Sequence, residues 1–162
     1  MSLSGQGRRS ISLDAAIVIT EQSKRTLWRR VTDGLITRVG SDARGRALLA
    51  FDEVMPFICI DLEAEELSDI QKADTGDANA QNEIGQLFIM RGKPKAGLFW
   101  LMAAAEHDHA DAMRHVGNLY IAGTGVPKDV HNGVSWIAKA ASFGSLIAKT
   151  QINEILKHTL QQ

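Results

Sequence analysis

Seven side chains between residues 24 and 46 are of the types that hold a polyanion: Lys24, Arg25, Thr26, Arg29, Arg30, Arg44 and Arg46. The first five lie in S-K-R-T-L-W-R-R, from Ser23 to Arg30, and the last two in T-R-V-G-S-D-A-R-G-R, from Thr37 to Arg46. Cations on a helix and on a nearby loop tip can touch duplex nucleic acid at two places, because a helix fills a major groove while a loop reaches neighbouring phosphates. The chemistry implied is ion pairing and hydrogen bonding to phosphates and base edges.

Three other patterns are of types that can do chemistry, and each has a plainer reading. E-H-D-H-A-D-A-M-R-H gathers His107, Asp108, His109, Asp111 and His115. A closed first-row metal site needs three or four convergent ligands, whereas His109 falls at a loop position and His115 begins on a different helical face. Cys59, the single cysteine, sits in the apolar run P-F-I-C-I and reads as a small core residue with no disulfide partner. G-T-G-V-P, at Gly123 to Pro127, lacks the Lys-Ser/Thr ending and the preceding strand of a phosphate loop and reads as an inter-helix turn. No nucleophile stands beside a base in the pattern a hydrolase needs. Neither an enzyme nor a cofactor nor a metal is expected.

The elements that must position the cations differ in character from the rest of the chain. Up to Ala50, nine Lys and Arg face four Asp and Glu, a balance of +5. From Phe51 onward nine bases face fifteen acids, a balance of −6. A near-neutral total thus hides two oppositely charged parts, which suggests a polyanion-binding end joined to something else. The charged fraction of 23% is that of a globular chain rather than a disordered one. No apolar run reaches the roughly 18 residues of a membrane span, and no signal-peptide core follows Arg8-Arg9. A cytoplasmic protein with no membrane partner is the expectation.

Within the basic part, Ser12 can cap a helix of about two turns, with Asp14 in its first turn and Ala15, Ala16, Ile17 and Ile19 as its apolar body. Ser23 can cap a second helix after Thr20-Glu21-Gln22. A step of about 100° per residue sets Leu27, Trp28 and Val31 on one side of it and Arg25, Thr26, Arg29 and Arg30 on the other. Gly34 can end that helix in a left-handed conformation. Leu35 to Val39 and Arg46 to Phe51 have strand-like content around the turn G-S-D-A-R-G, and Asp52 can cap a short helix containing Val54, Met55 and Phe57. The run I-S-L-D-A-A…S-K-R-T-L-W-R-R-V-T-D-G-L-I-T-R-V resembles the small winged helix-turn-helix modules of excisionase and MerR-type DNA-binding proteins. That resemblance implies that Arg25, Thr26 and Arg29 occupy recognition-helix positions facing DNA and that Arg44 and Arg46 fall in the wing. Where the family has a small residue at the turn between the helices, this chain has Glu21-Gln22. Docking to protein through the same surface is the alternative.

The acidic part contains an internal repeat. Gly76 to Phe88 aligns with Asp108 to Tyr120 at an offset of 32, and Phe99 to Ala105 aligns with Ser135 to Ala141 at an offset of 36. The difference falls in the connecting loop, short in R-G-K-P-K and longer in G-T-G-V-P-K-D. Each unit therefore reads as two helices, A then B. Ala80 with Gly85, and Ala112 with Gly117, mark the lines along which helices pack closely. The residues A-D-A-M-R-H-V-G-N-L-Y-I-A-G-T-G-V-P-K-D…W-I-A-K-A-A-S-F-G resemble the Sel1-like repeat, a relative of the tetratricopeptide repeat. The resemblance implies a protein-binding adaptor with partners on a concave surface and no catalytic residues. A third repeat begins at Phe143-Gly144 with its first helix alone, striped by Ala148, Ile152, Ile155 and Leu156.

The expectation is thus a mainly α chain: a flexible lead at 1–9, a winged helix-turn-helix with a short β-hairpin at 10–60, a linker or capping helix at 61–72, and a short α-solenoid of Sel1-like hairpins at 73–162. The function expected is a bacterial DNA-binding adaptor or transcriptional regulator that contacts duplex DNA through the seven residues above and a protein through its repeats. A protein-interaction scaffold without DNA binding is the alternative. The last helix, with Leu156 and Leu160 at its open face, offers a surface to another protein or to a second copy in a homodimer.

Overall fold

The computed structural model describes residues 7–161 and divides into two compact units, Met1–Glu63 and Ala64–Gln162. Residues 1–6 of the expected flexible lead lie outside the described residues. Arg8 and Arg9, also expected in that lead, are instead tied to the carboxylates of Glu53 and Asp52.

The first unit runs β1 (Ser10–Ser12), α1 (Leu13–Thr20), α2 (Lys24–Thr32), β2 (Arg38–Ser41), β3 (Ala47–Ala50), α3 (Phe51–Val54) and a 3-10 turn (Met55–Phe57). The three strands form an antiparallel sheet in the order β1-β3-β2, with Ile11 opposite Leu49. Alternation puts Ile11 and Leu49 on the inner face, where they are fully buried with Ile19, Leu27, Ile36, Phe51 and Val54. Ser12 serves twice. It ends β1, and its hydroxyl accepts from the Ala15 amide (3.2 Å) to cap α1. Ser23 caps α2 in the same way, through the Thr26 amide at 3.1 Å.

Several local expectations shift. The residues I-S, which read as a lead into a helix, form β1, because Ser10 and Ser12 pair with Ala50 and Leu48. The hairpin strands begin later than Leu35 and Arg46. Ile36 turns into the core and its amide donates to Arg30 O, so ladder pairing starts only at Arg38, with a bulge between Arg38 and Gly40. Asp52 does not cap α3. Ala50 holds the cap position without a side-chain bond, and Asp52 stands in the first turn against Arg9.

The second unit is a run of antiparallel helices: α4 (Ala64–Asp74), α5 (Ala78–Met90), α6 (Pro94–Glu106), α7 (Ala110–Ala122), α8 (Val130–Ser142) and α9 (Leu146–Leu160). Among the described residues the chain is mainly helical, with nine helices and one small three-stranded sheet. The two hairpins α5-α6 and α7-α8 are the repeats seen as sequence offsets. Their helices cross at glycine. A Cβ on Gly97 would lie 2.6 Å from Gly85 O and 2.5 Å from Ile89 Cγ1, and a Cβ on Gly133 would lie 2.6 Å from Gly117 O and 2.5 Å from Ile121 Cγ1. Backbone stands against backbone at both crossings, closer than any side chain permits. Around them pack Leu101, Ala104, Ala112, Val116 and Leu119, then Met113, Ile137, Ala140 and Ala148. The longer loop of the second hairpin folds back onto α6, with Gly125 (φ 74°) so placed that a Cβ would lie 2.9 Å from the Pro94 carbonyl carbon, and Val126 joins the core.

Glycine inside an unobstructed helix costs roughly 0.5–1 kcal/mol relative to alanine, so Gly→Ala there stabilises. At these crossings the sign should invert. Gly117→Ala and Gly133→Ala are each expected to destabilise the protein by about 1–3 kcal/mol through overpacking, read as a lowered denaturant midpoint in equilibrium unfolding.

Candidate functional site

Of the seven residues read as a polyanion site, the structure leaves four unengaged. The side chains of Lys24, Arg25 and Arg29 on α2, and of Arg44 at the hairpin tip, are exposed and make no hydrogen bond or ion pair among the described residues. The other three work within the unit. Arg30 lays its guanidinium 4.0 Å over the Phe57 ring and donates from Nε to Gln22 Oε1 at 2.9 Å. Arg46 braces the turn, donating from Nε to Asp42 Oδ2 at 2.7 Å, while Asp42 Oδ1 accepts the Arg44 and Arg46 amides. Desolvation of the half-buried Asp42 carboxyl opposes its ionisation, but the bonds from Arg46 and Arg44 together outweigh it and hold the pKa below its ordinary value. Thr26 takes part in the α2 cap, its hydroxyl 2.9 Å from Ser23 Oγ.

The unit's charge is correspondingly modest. Residues 1–63 hold nine Lys and Arg against eight Asp and Glu, a balance of +1, because Asp52, Glu53, Asp61 and Glu63 belong to the same compact unit. Arg38 is also occupied. It stacks 5.9 Å over the half-buried Trp28 ring and bonds Ser41 Oγ at 3.0 Å.

The second arrangement was not read from the sequence. Asp77, His109 and Ser145 cap the three A helices α5, α7 and α9 at equivalent positions. Each later cap also bonds the preceding A helix, two residues past its own cap. His109 Nδ1 accepts from the Ala112 amide (3.2 Å), which leaves its proton on Nε2 to donate to Asn79 Oδ1 (3.1 Å). Ser145 Oγ accepts from the Ala148 amide (3.2 Å) and donates to Asp111 Oδ1 (3.2 Å). A third rung runs from Gln151 Nε2 to Asn118 Oδ1 at 2.7 Å. The offsets of 32 and 36 do bring the caps into register. What they lack is any statement that a cap reaches sideways.

The His and Asp residues weighed as metal ligands are dispersed among these roles. His107 Nδ1 lies 2.9 Å from Ala103 O, His109 is the cap, and His115 Nε2 accepts from Arg114 Nη2 at 3.0 Å. Among the described residues no group of three or more His, Cys, Asp or Glu is arranged to hold a metal ion. Burial, with the Arg114 charge beside it, lowers the His115 pKa below its ordinary value. Cys59 is half-buried, its amide donating to Ile19 O at 2.9 Å. Among the described residues no helix is long and apolar enough to cross a membrane.

No protein-family model matches the chain, and no curated protein matches it. Solved structures do. The chain is similar to c5321, described as a protective antigen present in uropathogenic Escherichia coli strains displaying an SLR fold, at 25% identity and a TM-score of 0.53 over 67% of this chain. It is also similar to a Sel1 repeat protein from Oxalobacter formigenes, at 27% identity and a TM-score of 0.49 over 59% of this chain. It spans 25% of the length of the first and 42% of the second. The structural neighbours of this chain are Sel1 repeat proteins, and of these two the SLR fold of c5321 is the likeness that exceeds a TM-score of 0.5.

The rung at His109 and the buried ring of His115 can each be tested by unfolding. His109→Ala should cost about 0.5–2 kcal/mol as a lost cap, and His109→Asn should recover most of it, measured by urea unfolding. His115 takes its proton more readily in the unfolded chain, whose pKa is about 6.5. Its contribution to stability is therefore complete above that pH and is lost as pH falls below it. Urea midpoints between pH 7.5 and 5.5 should fall less steeply in His115→Gln than in the parent chain.

Proposed function

We propose that this chain is a non-enzymatic protein-interaction scaffold whose working surface is built on its Sel1-like repeats. One observation carries the reading: three successive A helices are tied to one another by side-chain rungs, two of which start from helix caps. A surface so braced loses little conformational freedom on binding, and stacked helical repeats present extended faces for partners. The likeness to proteins of the Sel1 repeat fold supports it, while the identity of any partner lies with the whole protein's own chemistry. A photo-crosslinking residue introduced at Glu83 on α5 or Thr150 on α9 should capture other proteins in cells, whereas one at Asp14 on α1 should not. Failure to crosslink from any repeat position sinks the scaffold reading.

A second reading concerns the first unit, and the four unengaged cations favour it. In this reading the helix-turn-helix of α1 and α2 with the β2-β3 hairpin is a winged module that contacts duplex DNA through Lys24, Arg25, Arg29 and Arg44. Arg30, Arg46 and Thr26 then act by shaping the module. The order of elements supports this, and the unit's balance of +1 limits the affinity it can reach. Four neutralised phosphates imply a slope of about −3 to −4 in log affinity against log salt. Arg25→Ala with Arg29→Ala should flatten that slope and weaken binding to random duplex in a gel shift, while Lys128→Ala with Lys139→Ala should leave both unchanged. Equal effects of the two pairs would remove the DNA reading.

A further inference from the structure

The A helices can be compared position by position from their caps at Asp77, His109 and Ser145. Eight residues past the cap stand Gly85, Gly117 and then Asn153, and twelve past it stand Ile89, Ile121 and then Lys157. In α5 and α7 these are the places against which the second helix of the hairpin lies, through Gly97 on Ile89 and Gly133 on Ile121. In α9 the glycine crossing is gone. Asn153 carries a side chain where backbone must meet backbone, and Lys157 stands where isoleucine packs. A helix cannot nest on α9 as α6 nests on α5.

What α9 presents instead is a strip of different chemistry. Leu146, Leu156 and Leu160 are 75%, 53% and 86% exposed, and at about 100° per residue they share one third of the helix surface with Lys149, Asn153 and Lys157. All six are exposed. Three large apolar side chains on one strip are costly to leave in water, and the two lysines between them state which partner suits. A second copy laid antiparallel about Asn153 would set Lys149 opposite Lys157, like charge against like charge. A helix bearing carboxylates beside an apolar stripe meets no such opposition. Lys157 already pairs with Glu154 at 2.9 Å within α9, so its ammonium is held at the edge of the strip rather than ranging freely.

We propose that the exposed strip of α9 docks an amphipathic, acidic helix of another protein, its leucines covered by the apolar stripe and Lys149 and Lys157 met by carboxylates. This rests on the scaffold reading and names the partner chemistry of one of its surfaces. Leu156 and Leu160 stand at the i, i+4 spacing by which amphipathic helices present anchors to a partner, and flanking charge sets orientation and choice.

Two labelled peptides of about 18 residues, five helical turns, test it against the full chain by fluorescence anisotropy. Both carry a leucine and alanine stripe, flanked by glutamates in one and by lysines in the other. The glutamate peptide should bind about tenfold or more tightly than the lysine peptide. Lys149→Glu with Lys157→Glu should invert that preference, and Leu160→Glu should weaken the glutamate peptide about fivefold or more with helix content unchanged by circular dichroism. Equal affinities, or a preference that survives the charge reversal, overturn the proposal. So does a concentration-dependent dimer in sedimentation that Leu160→Glu abolishes, which would assign the strip to a second copy. If crosslinks from Glu83 persist while the peptide preference is absent, this inference fails and the scaffold reading stands.

Discussion

Two helices can cross with their backbones in contact only where neither carries a Cβ at the crossing, and the second unit is organised around two such points. Gly85 with Gly97, and Gly117 with Gly133, let the helices of each hairpin close to a separation at which their carbonyls would strike any added methyl. The neighbours then fit only in one way. Ile89 and Ile121 fold over the crossings, Leu101 and Ile137 fill the space beside them, and alanines at 104, 105, 112, 140 and 148 are buried in the cores between the helices. Shape rather than hydrophobicity alone sets the spacing, since each small residue contributes little buried area of its own.

The crossings fix the helices of each hairpin against one another but do not join one A helix to the next. The cap rungs make that link. His109 and Ser145 each satisfy an amide at the start of their own helix and, with the remaining valence of the same side chain, hold the helix before. A histidine does this with Nδ1 as acceptor and Nε2 as donor, so that one ring ties the start of α7 to α5.

The first unit follows a different economy, in which charge is used for folding. Arg8, Arg9, Arg30, Arg38 and Arg46 are bound to carboxylates, rings or side-chain oxygens of their own unit, which leaves the α2 face and one hairpin residue as its free cations among the described residues. Counted to Ala50 the chain is strongly basic, and counted to the unit's own end at Glu63 it is nearly neutral. A linear count cannot see which acids fold back onto which bases.

Much was legible in the residues themselves. The caps at Ser12 and Ser23, the left-handed Gly34, the repeat offsets of 32 and 36, and the small residues on the A helices are local or periodic signals, and each reports backbone geometry within a few residues or the recurrence of a packing face. The sequence by itself thus determined most of the helices, the hairpin repeat and the presence of a basic segment. Tertiary structure alone decided that Ser10 to Ser12 is a strand, that Arg30 and Arg46 are braces, that His109 is a rung, and that Asn153 and Lys157 interrupt the crossing pattern at an exposed face. Apart from the Arg46 brace, whose partner Asp42 is four positions away across the hairpin turn, each of these depends on a partner at least eight positions away or on the position of a neighbouring helix, and a side chain's role there is set by what the fold brings against it.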